Sequence, residues 1–270
     1  TWLPDAYGYS TVSSAAILSS LVSKGYIFLL IKIFYRVVGF DIVVDSKVIN
    51  ILFVFGLLGM IMGSVNAIQE KDIRRMVAFS SVAQIGYIYM GFGLGTSAGI
   101  VASIFHILSH ASTKSLLFIA GVGLTDASND SKKFVDLTGS GYRNMVAGIA
   151  FSLGACSMVG IPLFSGFISK MLFAQAAVSN SLTKMLPTLI CLAISTVLNA
   201  IYFMKTVILI YTPIQKVPSK EGEPEPKKVE SRNHPVYNVV LLCMIILNMI
   251  LGCCSQPIVT WIETGLEMFQ

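Results

Sequence analysis

The chain has 270 residues, of which 54% are hydrophobic and 12% charged, with a formal net charge of +5 and a mean hydropathy of +0.75. Soluble domains carry about a quarter of their residues as charges, so water is excluded as the solvent for most of this surface and repeated insertion into a bilayer is the reading that remains. The excess of Lys and Arg does not point to nucleic acid, because these residues sit beside apolar runs and form no basic stripe interleaved with aromatics.

A bilayer core of about 30 Å takes roughly 20 apolar residues per helical crossing. By that measure the fold class is all-α, a polytopic membrane protein of about seven transmembrane helices. The first crossing covers about 12–35 and the second about 48–68, after which Gln69-Glu-Lys-Asp-Ile-Arg-Arg75 reads as a tight solvated turn. The third covers about 76–94 and the fourth, beyond Gly95-Thr-Ser97, about 98–122; polar residues then dominate as far as Arg143. The fifth, about 145–178, is too long for one crossing and contains Gly160-Ile-Pro162. Proline there removes a backbone donor and clashes with the preceding turn, so a broken helix is expected. A sixth follows from Pro187 to about 211 and a seventh covers about 236–251. Between them 212–235, rich in Pro, Lys and Glu, cannot bury enough apolar surface to fold and reads as a flexible loop. The tail 257–270 reads as an interfacial segment or a short amphipathic helix.

Five cysteines, Cys156, Cys191, Cys243, Cys253 and Cys254, lie in or beside apolar segments without CxxC or metal-ligand spacing, which predicts buried, unpaired thiols. Thr1-Trp-Leu-Pro-Asp5 lacks the basic start and apolar stretch of a signal peptide. Without an initiator Met, the expectation is a fragment of a longer chain. Cytoplasmic loops carry the excess of Lys and Arg. Lys71, Arg74 and Arg75, then Lys132, Lys133 and Arg143, then Lys216, Lys220, Lys227, Lys228 and Arg232 fall on one side, while Arg36, Lys47 and Lys184 fall on the other. The expected topology is therefore N-terminus in the cytoplasm and C-terminus outside.

An ionisable group at the centre of a spanning helix costs about 2.5 to 3.5 kcal/mol on insertion scales, so each one is a functional candidate. Lys24 lies midway along the first crossing, too far from either interface to snorkel; the structural alternative is pairing with a carboxylate from another helix. His106, His110 and Lys114 stand at i, i+4 and i+8 and share one helix face, a row about 12 Å long by the helix rise. Histidine titrates near neutral pH and a desolvated lysine is drawn toward it, so such a row can pass protons. The alternatives are packed core histidines and a Lys114 that snorkels to its helix end. A zinc site is disfavoured, because neither a third His nor a carboxylate stands at ligand spacing. Lys170 lies just beyond the break, and discontinuous helices are where transporters place ion sites; its alternative is interfacial anchoring. Lys32 and Lys205 read as ordinary snorkelling residues.

Four ordered motifs carry a family resemblance: Thr1-Trp-Leu-Pro-Asp-Ala6, Asp72-Ile-Arg-Arg-Met-Val-Ala-Phe-Ser-Ser-Val-Ala-Gln-Ile-Gly-Tyr87, Phe105-His-Ile-Leu-Ser-His-Ala-Ser-Thr-Lys-Ser-Leu-Leu-Phe118 and Gly160-Ile-Pro-Leu-Phe-Ser-Gly-Phe-Ile-Ser-Lys170. Over about 1–211 the chain resembles the antiporter-like subunits shared by respiratory complex I, multi-subunit Na+/H+ antiporters and membrane-bound hydrogenases. The resemblance implies two inverted five-helix repeats, each with a broken helix, of which this chain holds the second and the junction helix. It also implies that Lys24 is the central lysine linking two half-channels, that His106, His110 and Lys114 belong to the second half, and that Lys170 is the broken-helix lysine at the outer exit. Members of the family begin upstream of this chain, with helices bearing a Glu and a Lys. Met171 stands where some complex I members have a carboxylate, which favours the hydrogenase or antiporter branches.

The domain organisation expected on this basis is an antiporter-like transmembrane domain over 1–211, a flexible cytoplasmic loop over 212–235, and a last crossing with its tail over 236–270. The expected function is a proton-translocating subunit, moving H+ or exchanging Na+ for H+, along Lys24, His106, His110, Lys114 and Lys170 with intervening water. It is a non-catalytic part of a redox-driven or antiporter complex in a bacterial plasma membrane, and its partners are the other membrane subunits and the bilayer. No phosphate-binding loop, dinucleotide fingerprint, Cys cluster or haem motif appears, so no cofactor is expected. The rival from another class is a static structural subunit. An enzyme acting on a lipid or quinone would need a constellation that Ser165, without a visible His and Asp context, does not supply.

Overall fold

The structure is a computed structural model and describes residues 2–213 and 235–268. The expected loop therefore lies almost wholly outside the described residues, as do its cations Lys216, Lys220, Lys227, Lys228 and Arg232, and Thr1. A backbone in hydrocarbon must satisfy its own polar groups, which drives spanning segments into helix. Among the described residues every regular element is helical, and Asp72 with Lys133 forms an isolated antiparallel bridge.

After α1 (Trp2–Tyr9) a continuous rod runs over Val12–Val38. Within it α2 (Val12–Ile17) and α3 (Ser23–Lys32) are joined by a π-type stretch, Leu18–Val22, and a second, Ile33–Val38, ends the rod. α4 (Phe40–Asp45) leads into α5 (Val48–Gln69). α6 (Ile73–Gly93) starts where the Asp72 carboxylate accepts from the amides of Arg74 (2.7 Å) and Arg75 (3.1 Å). α7 (Ser97–Asp126) is capped by Thr96, and α8 (Ser140–Arg143) precedes the broken pair α9 (Met145–Val159) and α10 (Ser165–Val178). α11 (Leu182–Ile210), α12 (Pro235–Cys253) and α13 (Ser255–Glu267) complete the order.

Among the described residues five helices are long and apolar enough to cross a bilayer: the rod, α5, α7, α11 and α12. α6, 21 residues, is long enough at 1.5 Å per residue but more polar, and it is enclosed by the bundle along almost its whole length. Small residues let it do so. A Cβ on Gly86 would meet the Met60 amide of α5 at 2.5 Å, and one on Gly63 would meet the Ala83 amide at 2.5 Å, the close-approach device of membrane helix pairs.

Two expectations need correction. The sixth helix begins at Leu182, with Pro187 inside it rather than ahead of it; the proline falls in the second turn and leaves the carbonyl of Thr183, an exposed residue, without its helical donor. The thiols are unpaired but not buried, since Cys243, Cys253 and Cys254 are exposed and Cys156 and Cys191 half-buried. An apolar run says only that a residue avoids water, and lipid satisfies that as well as a core does. The tail does form a short helix, α13, which buries Val259 and Leu266 and exposes Trp261.

Candidate functional site

α7 is the axis of the site. It carries His106, His110 and Lys114 into the bundle interior at 3%, 1% and 0% exposure. The two imidazoles stack with centroids 6.0 Å apart and planes 10° apart. Tyr87 of α6 stacks on His106 at 5.4 Å and Phe173 of α10 meets its ring edge-on at 5.4 Å, so aromatic walls fix the ring. His106 Nδ1 lies 2.5 Å from Ser169 Oγ of α10. Its Nε2, both nitrogens of His110 and the Gln84 amide nitrogen have no protein hydrogen-bond partner.

The residues Gln84, His106, His110, Ser157 and Lys170 line a small cavity of about 10 Å3, about the space one water molecule requires. A buried polar group left unpaired costs about 1 to 3 kcal/mol. The cavity is thus a place where a single water can bridge the imidazoles to the broken helix.

Lys114 does not snorkel. α7 continues to Asp126, and the ammonium turns inward to donate to Val77 O at 2.8 Å and to Ser80 Oγ, both on α6. Lys24, 3% exposed, follows directly on the first π-type stretch and donates to Ser19 O within it and to Ser23 Oγ at 3.3 Å. Ser19 Oγ meets Ser81 Oγ of α6 at 3.2 Å, which ties the rod to the same inner helix. Lys24 lies within electrostatic range of His106, His110 and Lys114.

The break supplies the fifth residue. Gly160 adopts φ 90° and ends α9 with its amide and that of Ile161 on the carbonyls of Cys156 and Ser157, a left-handed stop that glycine takes without strain. Pro162 has no N–H to offer Met158 O. Lys170 of α10 replaces it, donating to Met158 O at 3.1 Å and Val159 O at 2.6 Å. A cation on the last carbonyls of a helix also meets the negative end of its dipole. Lys170 is half-buried, with its ammonium turned onto the end of α9.

Among the described residues none of the three lysines, Lys24 and Lys114 buried and Lys170 half-buried, is paired with a carboxylate. The salt bridges among the described residues are those of Arg75 with Asp5 (2.5 Å) and Glu70 (3.0 Å), at the lysine-rich end of the bundle. The carboxylate partner considered for Lys24 is absent among the described residues.

Other parts of the site were not singled out from sequence. Asn248 of α12, 2% exposed, donates to Thr113 Oγ1 (2.5 Å) and Ser112 Oγ (3.3 Å) on α7 and accepts from Ser165 Oγ (3.4 Å) at the start of α10. Ser165 Oγ in turn meets Ser109 Oγ at 2.8 Å. Asn248 thus pins the last helix to both the row and the break. An amide inside an otherwise apolar run was its available signal. A second neutral network joins Tyr202 OH to Asn199 Oδ1 at 2.5 Å on α11, with Ser64 of α5 and Ser195 beside it; its members were hidden by the high hydropathy of α11.

Residues 1–198 match the family model described as NADH:quinone oxidoreductase/Mrp antiporter transmembrane, a span that holds all five titratable residues of the site. The chain is 31% identical over 206 residues to NADH-quinone oxidoreductase subunit N of Desulforudis audaxviator, covering 76% of this chain and 40% of that protein. It is 31% identical over 267 residues to the putative antiporter subunit mnhA2 of Staphylococcus haemolyticus, covering 92% of this chain and 32% of that protein. A chain in the structure of an Mrp complex from Dietzia superposes with a TM-score of 0.82 at 22% identity, over 97% of this chain and 54% of that one. The chain thus spans about half, or less, of the length of the proteins it matches. The matched stretch, the all-helical fold and the helix broken at Gly160 agree: the chain belongs to the NADH:quinone oxidoreductase/Mrp antiporter transmembrane family.

Proposed function

We propose that this chain is the second-repeat portion of a proton-translocating membrane subunit, in which protons pass between Lys24, His106, His110, Lys114 and Lys170 through intervening water. The observation that carries the reading is that Lys24, His106, His110 and Lys114 are enclosed in the bundle with Lys170 half-buried beside the histidines, and that among the described residues these lysines are bonded to backbone carbonyls and hydroxyls rather than to carboxylates. A stable buried charge calls for an opposite charge, because desolvation otherwise costs several kcal/mol. Neutral ligands around a lysine allow it to lose and regain a proton without leaving a counter-charge stranded. A static subunit with paired lysines lacks that property.

In this reading each Nζ accepts a proton through its lone pair and gives one up through an N–H, and each imidazole takes a proton at one nitrogen while releasing one at the other. Like-charge repulsion between neighbouring members moves the proton onward. The domain over 1–211 forms the conducting part. The lysine-rich end holding Lys71, Lys133 and Arg143 faces the cytoplasm of a bacterial plasma membrane, and the remaining half of the ion path and the driving reaction belong to the rest of the protein and to partner subunits.

The test is proton uptake by vesicles holding the assembled complex, with Lys24→Met, Lys114→Met and His110→Leu compared with the parent and assembly checked in parallel. Uptake lost in assembled variants supports the path; uptake at the parental rate in all of them establishes the static reading instead. Repeating the assay in sodium-free medium separates H+ movement from Na+ exchange.

A further inference from the structure

Away from the row, where the α5–α6 turn meets α11, a cavity of about 700 Å3 opens to the surface. Its walls are apolar, with Ala67 and Ile68 of α5, Met76 of α6, Phe134, Val135, and Leu209 of α11. Lys71, Lys133 and Lys205 also line it. The first two are held side by side by backbone pairing, with Phe134 N on Lys71 O at 3.1 Å and Ile73 N on Lys132 O at 3.0 Å. Lys205 comes from the last turns of α11.

The two carboxylates at the cavity are already engaged. Glu70 accepts from Arg75 Nε at 3.0 Å, and Asp72 caps α6 through the amides of Arg74 and Arg75. The three lysine ammoniums form no ion pair among the described residues. An apolar slot beneath a cluster of unmatched cations, at the end of a helical bundle, is complementary to a molecule with a phosphate at one end and hydrocarbon at the other. Basic pockets between helices at a membrane surface bind anionic headgroups in this way, and the volume lies in the range of ligand pockets.

We propose that this cavity binds one anionic phospholipid of the bilayer, with its phosphate among Lys71, Lys133 and Lys205 and the upper part of an acyl chain against Ile68, Val135 and Leu209. The apolar walls select a lipid over free phosphate. The ligand recruits its charge from the membrane and needs no residue of the proton row.

The experiment is thermal unfolding of the purified, delipidated full-length complex on titration with phosphatidylglycerol, phosphatidylcholine or inorganic phosphate, followed by native mass spectrometry of retained lipid. The expected result is saturable stabilisation and retention with phosphatidylglycerol alone. The variant Lys71→Gln/Lys133→Gln/Lys205→Gln lowers that affinity by about a hundredfold, about fivefold per lysine. The variant with Arg at all three positions retains it and shows that the fold survives substitution there. Equal response to phosphatidylcholine, or an unchanged affinity in the Gln variant, overturns the site. A response to inorganic phosphate equal to that of the lipid overturns the lipid as its source. No gain with any of the three also overturns the proposal.

Discussion

Two lysines of the row hold different bonds, and the same substitution should therefore do different things at each. In Lys114→Met the ammonium's bonds to Val77 O and Ser80 Oγ are lost, but neither acceptor is orphaned. Val77 O still receives Ser80 Oγ at 2.8 Å and Ser81 Oγ at 3.3 Å, and Ser80 keeps its own donation. Two net hydrogen bonds of about 1 kcal/mol each are given up, and the desolvation of a buried amine, also at least about 1 kcal/mol, is relieved. The unfolding free energy should therefore stay within about 1 kcal/mol of the parent. In Lys170→Met, Met158 O and Val159 O lose the donor that stands in for the missing N–H of Pro162. Both bonds are half-buried, so the two carbonyls lose their protein donor at about 1 kcal/mol or somewhat more each, a loss of about 2 to 3 kcal/mol. The assay pairs thermal or denaturant unfolding of the solubilised complex with proton uptake by vesicles. Both variants should lose uptake, and only Lys170→Met should lose stability. A Lys114→Met complex that unfolds as readily as Lys170→Met would refute the bond accounting, and one that pumps at the parental rate would refute the row.

Three further outcomes test the scaffold around the row. Gly166→Ala places a Cβ against the Ser157 carbonyl; the expected loss is about 1 to 3 kcal/mol, the usual cost of overpacking, read as a lowered unfolding midpoint and weakened uptake together. Asn248→Leu removes the amide that joins Ser112, Thr113 and Ser165, and hydrogen-exchange protection of α10 should fall with a stability loss of about 2 to 3 kcal/mol. Tyr202→Phe breaks the bond to Asn199 Oδ1 and should cost about 1 kcal/mol while leaving uptake unchanged, which marks the α11 network as structural; an uptake defect in that variant would enlarge the ion path.

The parts of this fold that sequence made legible are those where one physical rule decides. Apolar length found the rod, α5, α7, α11 and α12, and Pro162 beside Gly160 located the break to within a residue or two. A spacing of four placed His106, His110 and Lys114 on one face because helix geometry leaves no alternative. Where two rules compete, pattern was silent. The π-type stretch before Lys24 leaves no mark in hydropathy, although an extra residue in the turn helps decide which way that lysine points. Arg74, expected in a solvated turn, is buried and donates to Ser10 O at 2.5 Å, a contact between segments 64 residues apart that no local pattern encodes. Asn248 joins the site for the same reason, since its partners lie 83 to 136 residues upstream.

The break and the row are coupled through one atom. Lys170 Nζ is both a proposed proton carrier, from a residue that lines the same cavity as His106, and the donor that closes the carboxyl end of α9. A charged donor makes bonds roughly twice as strong as a neutral one. When Lys170 passes its proton on, its hold on Met158 O and Val159 O weakens, and the carbonyls must relax or find water. Linkage makes this reciprocal: whatever shifts the two halves of the broken helix changes the proton affinity of Lys170 by the same free energy. Gly160 leaves room for the exchange, because a Cβ there would lie 3.2 Å from the lysine nitrogen. Gly160→Ala should consequently alter the pH dependence of uptake by the assembled complex as well as its rate. A variant that lowered the rate with an unchanged pH profile would show that the break positions Lys170 without responding to it.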